Sequence, residues 1–411
     1  MRGGPAYDAR TPDPIAWAAM PDLPPVRRPV AARLVRTVAL GMLAGMALSL
    51  ALWWGPRDYP RAPLLALASA QVPAVERALA GLLAAALLAL LWRPSQRAFA
   101  VLACLALAGC WLLDQSRLQP WAYLYGLVLV RAATLSSSSE SPDARMADHV
   151  RVLLACTYFW SGLQKLHVLF GTVSLGSLIE PLLPGYGELP APVRVALGLA
   201  LAAFESLIGV AFLFQRTRRV AALAAIAMHA LLLLLLAVGL GWNPVVWPWN
   251  VAMAVLAWSV RSPTESEAPS GLARLLWGRD LVARALLVLL GLLPALSFVD
   301  RWDAYPSLAL YSPRIEGARI CFGEGVKARL PPELQALLVT RAPHSYEFWI
   351  EEWSQTDLGV PAYPSGRVLR AVAREFLASL GNPPQARVVV HGRPDPISGK
   401  ASQRVYTPDD V

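Results

Sequence analysis

Three ionisable side chains stand inside long apolar runs of this sequence, and each is of a type that moves protons. Lys165 lies in Tyr158–Leu166 (YFWSGLQKL), Glu205 in the run at 192–214 and His229 in the run at 220–240. An amine held out of water loses its proton more readily, which makes it a competent base or nucleophile near neutral pH. A carboxylate and an imidazole beside it would tune that amine or pass its proton on. On a helix Tyr158, Ser161 or Gly162, and Lys165 share one side, and the small Ser161 and Gly162 let another helix or a flat ligand approach closely. A fourth group, Asp114, closes the run at 97–113. Plainer readings stand beside these. Lys165 is near the outer end of its run, where a lysine snorkels to the headgroups. Glu205 could form a structural ion pair with Lys165 or His229, and His229 could be a satisfied packing histidine. Asp114 is most simply a surface residue at a helix end.

The elements that must position these groups follow from the solvent the chain needs. Of 411 residues 56% are hydrophobic and only 16% charged, against about 25% charged in a soluble domain, so lipid is the main solvent. The net charge of +9 is not gathered in one basic block but spread between apolar runs, which disfavours nucleic acid and fits membrane topology. The only lysines are Lys165, Lys327 and Lys400. The four cysteines (Cys104, Cys110, Cys156 and Cys321) include no CxxC pair, and three sit in apolar runs as small buried hydrophobes. Neither a redox motif nor a metal site follows from them. The first apolar run begins near Val38 behind a Pro- and Arg-containing tail, so it reads as an anchor rather than a cleavable signal.

Nine apolar runs fall at roughly 37–54, 74–92, 97–113, 120–136, 149–169, 192–214, 220–240, 243–260 and 282–299, each near the roughly 17–25 residues that cross the hydrocarbon as a helix. The third and fourth are short or interrupted by Arg131. With the N-terminus inside, inner segments hold Arg27, Arg28, Arg33, Arg36, Arg93, Arg97, Arg131, Arg145, Arg151, Arg216, Arg218, Arg219, Arg261, Arg274, Arg279 and Arg284. The outer loops hold only Arg57, Arg61, Arg77, Arg117 and Arg194, an excess of about three to one on alternate loops, as the positive-inside rule expects. Ser136–Ser139 reads as a polar inner loop, and Thr172–Pro184 as a re-entrant or interfacial piece too short to span. After residue 300 the pattern changes. Leu308–Tyr311, Ala318–Phe322 and Ala386–Val390 alternate like strands, and Pro332–Val339 and Arg367–Leu380 like amphipathic helices.

The expected fold is therefore an all-α polytopic membrane helix bundle of about nine transmembrane helices with a small C-terminal α/β extramembrane domain. Its parts are a flexible cytoplasmic tail at 1–33, a transmembrane domain at 34–300 and an extracytoplasmic domain at 301–411. The expected location is the inner (plasma) membrane, with the N-terminus cytoplasmic and the C-terminus outside.

Leu113-Asp114, then Tyr123-Leu124-Tyr125-Gly126, then Tyr158-Phe159-x-x-Gly162-x-x-Lys165-Leu166 together resemble the vitamin K-dependent γ-carboxylase superfamily, known in bacteria as the horizontally transferred transmembrane (HTTM) domain. The likeness extends to Glu205 four residues before Gly209, to the Arg-rich turn after the sixth run and to His229, and covers roughly residues 35–260. More distantly, the SGLQKL stretch is similar to DoxX-like membrane proteins. The superfamily resemblance implies a nine-span fold with a lipid-accessible cavity for a quinone or hydroquinone of the vitamin K type. It makes Lys165 the base, Glu205 and His229 its tuning groups, and Tyr158, Ser161, Gly162, Asp114, Trp121 and Tyr123 the ligand cavity. It implies no metal. The sequence departs from the family at Pro120-Trp121, where an Asn-His pair is usual, and at Gln164, where a second lysine is usual. No counterpart of the family's large lumenal domain follows residue 300, so the fold and cavity carry over further than carboxylation does. Two functions stay open: a membrane enzyme or redox partner acting on a quinone-like ligand, and a non-enzymatic anchor or scaffold whose outer domain binds a protein partner. A transporter is disfavoured by the lack of inverted repeats and of paired Gly/Pro-broken runs.

Overall fold

The computed structural model describes residues 29–64, 72–135, 141–262 and 280–411. The tail at 1–28, the Ser136–Ser139 loop and Arg27, Arg28, Arg274 and Arg279 lie outside the described residues. Helices of six or more residues are labelled in chain order. The bundle contains α1 (Val30–Leu48), α2 (Val72–Trp92), α3 (Arg97–Leu113), α4 (Pro120–Thr134), α5 (Pro142–Gln164), α6 (Ala191–Leu213), α7 (Arg218–Leu233), α8 (Trp247–Ser259) and α9 (Leu281–Leu286). Ala and Leu dominate them, both strong helix formers, and prolines sit in the first turn of α4, α5, α6 and α8, where no N–H is lost from the helix ladder. α7 runs on through a π-type turn at Leu234–Gly239, and α9 through Leu287–Leu292 and a 3-10 stretch at Leu293–Val299.

Five of these helices are long and apolar enough to cross a membrane: Val30–Leu48, Pro73–Trp92, Ala191–Leu213, Arg218–Gly239 and Leu281–Val299. The other four match apolar runs but fall short on length, as do α3, α4 and α8, or on hydropathy, as does α5 with its Asp143, Arg145, Asp148 and Arg151. Burial is inverted relative to a water-soluble bundle. Leu105, Leu207 and Val220 are 63–68% exposed, while Glu76, Asp114, Arg117 and Arg131 are buried. Charged groups inside and leucines outside are the arrangement that lipid, not water, stabilises.

Beyond α9 a five-stranded antiparallel sheet forms from β1 (Gly317–Gly323), β2 (Val339–Ala342), β3 (Ser345–Trp349), β4 (Arg387–His391) and β5 (Gln403–Tyr406), in the order β2-β3-β1-β4-β5. Ala318, Ile320 and Phe322 alternate inward along β1, as a strand period of two requires. Two helices cover that side, α10 (Ile350–Leu358) and α11 (Gly366–Ser379). The Phe348 ring meets Trp353 and Phe376 edge-on at 5.8 and 5.6 Å, which ties sheet and helices into one core.

Several expectations are corrected here. Leu308–Tyr311 is a turn, not a strand, because Leu308 and Tyr311 take φ of 60° and 53°, in the left-handed region that no strand admits. The helix expected at Pro332–Val339 stops at Gln335, and its last residue instead begins β2. β3, β5 and α10 were not anticipated. Their apolar residues are interleaved with Glu and Gln, so periodicity alone does not mark them. Residues 30–33, assigned to the flexible tail, form the first turn of α1.

The domain docks on one end of the bundle. Asp357 accepts from the Tyr59 N–H at 2.8 Å, and Trp353 meets the Tyr59 ring edge-on. Arg367 donates to Gln115, just past α3, Ser312 Oγ to the Gln164 carbonyl at the end of α5, and Arg393 to the Ser297 carbonyl after α9. The C-terminal ends of α1, α3, α5 and α9 therefore lie on the same side.

Candidate functional site

The site begins with a close approach of α5 and α6, the most extensive helix pairing in the bundle. A Cβ at Gly162 would fall within 2.5 Å of the Ala202 carbonyl oxygen, and one at Gly209 within 2.5 Å of the Ala155 carbonyl oxygen. Glycine is needed at both positions because the neighbouring backbone fills the space. Gly162 is thus occupied by α6 rather than by an open ligand face.

That approach carries Glu205 of α6 to the end of α5, where Lys165 is the C-terminal cap. Lys165 Nζ donates to Glu205 Oε2 and to Ser161 Oγ, each at 2.7 Å, with the Phe170 ring 6.0 Å away. Lys165 is 6% exposed, so its ammonium is turned into the protein and does not snorkel to the headgroups. Two turns deeper, the Tyr158 hydroxyl lies 2.8 Å from His229 Nε2, and His229 Nδ1 lies 2.8 Å from Asn250 Oδ1. Asn250 donates its own amide to the Val246 carbonyl, which orients Oδ1 towards the imidazole as acceptor. His229 therefore carries its proton on Nδ1 and presents Nε2 to the Tyr158 hydroxyl, which donates. The Tyr158 ring stacks on Phe212. Across α5, α6, α7 and α8 the side chains thus form two hydrogen-bonded groups, Ser161–Lys165–Glu205 and Tyr158–His229–Asn250.

The remaining expected residues are elsewhere. Asp114 is fully buried, not a surface residue: Arg57 Nη1 meets its Oδ2 at 2.6 Å, while Ser116 and Ala62 donate backbone N–H groups to Oδ1. A carboxylate closing an apolar helix can be buried when its charge is matched on the spot. Trp121 packs between Trp53, Tyr125 and the Cα of Gly45, and its indole N–H has no acceptor among the described residues. Tyr123 is half-buried with its hydroxyl likewise unpartnered. A cavity of about 690 Å³ opens where α3 meets the docked domain, between Trp111, Gln115, Trp302, Asp303, Tyr363 and Arg367; none of the expected cavity residues lines it. Asn250 carries no charge, so the expectation built on ionisable groups omits it. An amide inside the apolar WPWNVAM stretch was the available signal.

Among the described residues no group of three or more His, Cys, Asp or Glu side chains is placed to hold a metal ion. In the docked domain, burial and then the Glu347 carboxylate push the Cys321 thiol up, away from the range of a reactive thiolate. No family model, curated protein or solved structure matches this chain.

Proposed function

We propose that this is a multi-pass membrane protein of the γ-carboxylase/HTTM type that binds a quinone-like lipophilic ligand, with Lys165 as its proton-accepting group. The observation that carries the reading is the Lys165–Glu205 contact of 2.7 Å beside the Tyr158–His229–Asn250 chain, all inside the bundle. Nζ has two polar partners and the capacity for a third, which leaves one position for a ligand oxygen. A proton passing from Nζ to Glu205 Oε2 along their hydrogen bond yields a neutral amine. That amine can then accept a proton from a ligand hydroxyl while Glu205 retains the first. A bound hydroquinone would supply the acidic hydroxyl and the redox chemistry.

All nine bundle helices are read as crossing the inner membrane. The docking of α1, α3, α5 and α9 ends on one side supports strict alternation, which puts residues 301–411 outside the cell membrane when the N-terminus is inside. Purified protein should co-extract a quinone and, with dissolved oxygen as the electron acceptor, consume hydroquinone, and Lys165→Ala should abolish the consumption. Neither ligand nor Lys165-dependent turnover in such an assay would sink the catalytic reading.

A second reading rests on the same pair. With both Lys165 and Glu205 satisfied, they are competent as a clamp between α5 and α6, and the protein then serves as an anchor whose outer domain binds a partner. In that case Lys165→Met should lower stability yet leave the protein's function intact, and deletion of 301–411 should abolish that function.

A further inference from the structure

The loops at the domain end hold a second cluster of charge that the Lys165 site does not use. Arg57 and Arg61 follow α1, Glu76 and Arg77 lie in the first turns of α2, and Arg117 lies on the turn after α3. Together with Trp53 these side chains line a small pocket of about 30 Å³, room for two or three water-sized groups rather than an extended molecule. The carboxylates nearby are already committed. Glu76 takes Arg61 Nε at 2.8 Å on one oxygen and Arg117 Nη1 at 3.2 Å on the other, and Asp114 takes Arg57 Nη1. Four guanidinium groups thus face two carboxylates. The shortfall is local: the Arg57 side chain is only 2% exposed, yet its Nε and Nη2 have no acceptor among the described residues. Arg77 forms no ion pair among the described residues.

Leaving charged donors buried without acceptors is costly, so a site with this imbalance is completed by an anion that offers several acceptor oxygens. The planar guanidinium fork matches a phosphate oxyanion, and a tryptophan beside it is the side chain favoured at a headgroup boundary. These four arginines are also four of the five that break the positive-inside pattern, so they converge here against the topological bias. We infer that this pocket binds one phosphate group, carried by an anionic phospholipid headgroup or by free phosphate. The site is independent of the Lys165 constellation and holds whether or not that constellation is catalytic.

Native mass spectrometry of the delipidated full chain in detergent tests this, with inorganic phosphate in one arm and phosphatidylglycerol, against diacylglycerol, in the other. The wild type should retain one adduct of phosphate or of phosphatidylglycerol, and none of diacylglycerol. Arg57→Gln and Arg77→Gln should each reduce its occupancy by about fivefold or more. Arg77 is exposed, so its variant should keep the wild-type Tm and report binding even if Arg57→Gln unfolds. A phosphate adduct alone identifies the free anion, and a lipid adduct alone the headgroup. The inference is overturned if neither probe binds, or if adducts persist at wild-type occupancy in Arg77→Gln.

Discussion

Lys165 was recognisable from its position in an apolar run, but a run does not say what an amine meets. Snorkelling and pairing are both compatible with YFWSGLQKL, and the choice depends on which face of α6 turns towards it. Glu205 supplies the partner from 40 positions away. Removing one member of a buried pair leaves the other uncompensated, at about 3–5 kcal/mol. Lys165→Met and Glu205→Gln should therefore each lower the Tm markedly, and the double variant should recover much of the loss. Thermal unfolding of the four proteins in detergent measures the coupling; simple additivity would show that the pair is not tightly coupled. His229 was likewise visible as an oddity, whereas the tautomer it adopts is set by Asn250, an uncharged residue whose importance rests on the Val246 carbonyl that orients it.

Elements with unbroken periodicity were legible, and elements whose pattern is mixed were not. α11 shows its apolar stripe in sequence order through Val368, Leu369, Val372, Ala373, Phe376 and Leu377, and its span matches the reading to within a residue. α10 carries Glu351 and Glu352 in its first turn and is defined instead by what Ile350, Trp353 and Leu358 bury. Glu351 is half-buried with its carboxyl turned inward; the burial of that carboxyl, opposed by hydrogen bonds from its own N–H and that of Ala318, pushes it up to about 7. The ordinary value is 4.5, so between the two the folded domain holds a proton that the unfolded chain releases. Stability is greatest below the lower value, declines as pH rises towards the upper, and stays low above it. Glu351→Gln should raise the Tm by several degrees at pH 8 and change it little at pH 4.5. Scanning fluorimetry at both values checks this, and an unchanged or lower Tm at pH 8 would show that Glu351 is not held protonated.

At the scale of the molecule, five helices satisfy the demands of a membrane span by length and composition, and the inverted burial agrees with a lipid-embedded bundle. Reading nine spans makes the docked domain extracytoplasmic, and fusions test it directly. Alkaline phosphatase joined after Val411 should be active in a bacterial host and green fluorescent protein there dark; the reverse pattern would require an even number of crossings. The sequence by itself determined that lipid is the main solvent, where the helices of the bundle run and that residues beyond 300 fold on different rules, because hydropathy and local periodicity are properties of contiguous residues. Only the tertiary structure decided that Lys165 meets Glu205, that Gly162 is spent on helix packing, that Asp114 is buried against Arg57 and that Arg57, Arg61, Arg77 and Arg117 share one pocket. Those are contacts between residues far apart in the chain, and they depend on the rotation and spacing of whole helices, which no local pattern encodes.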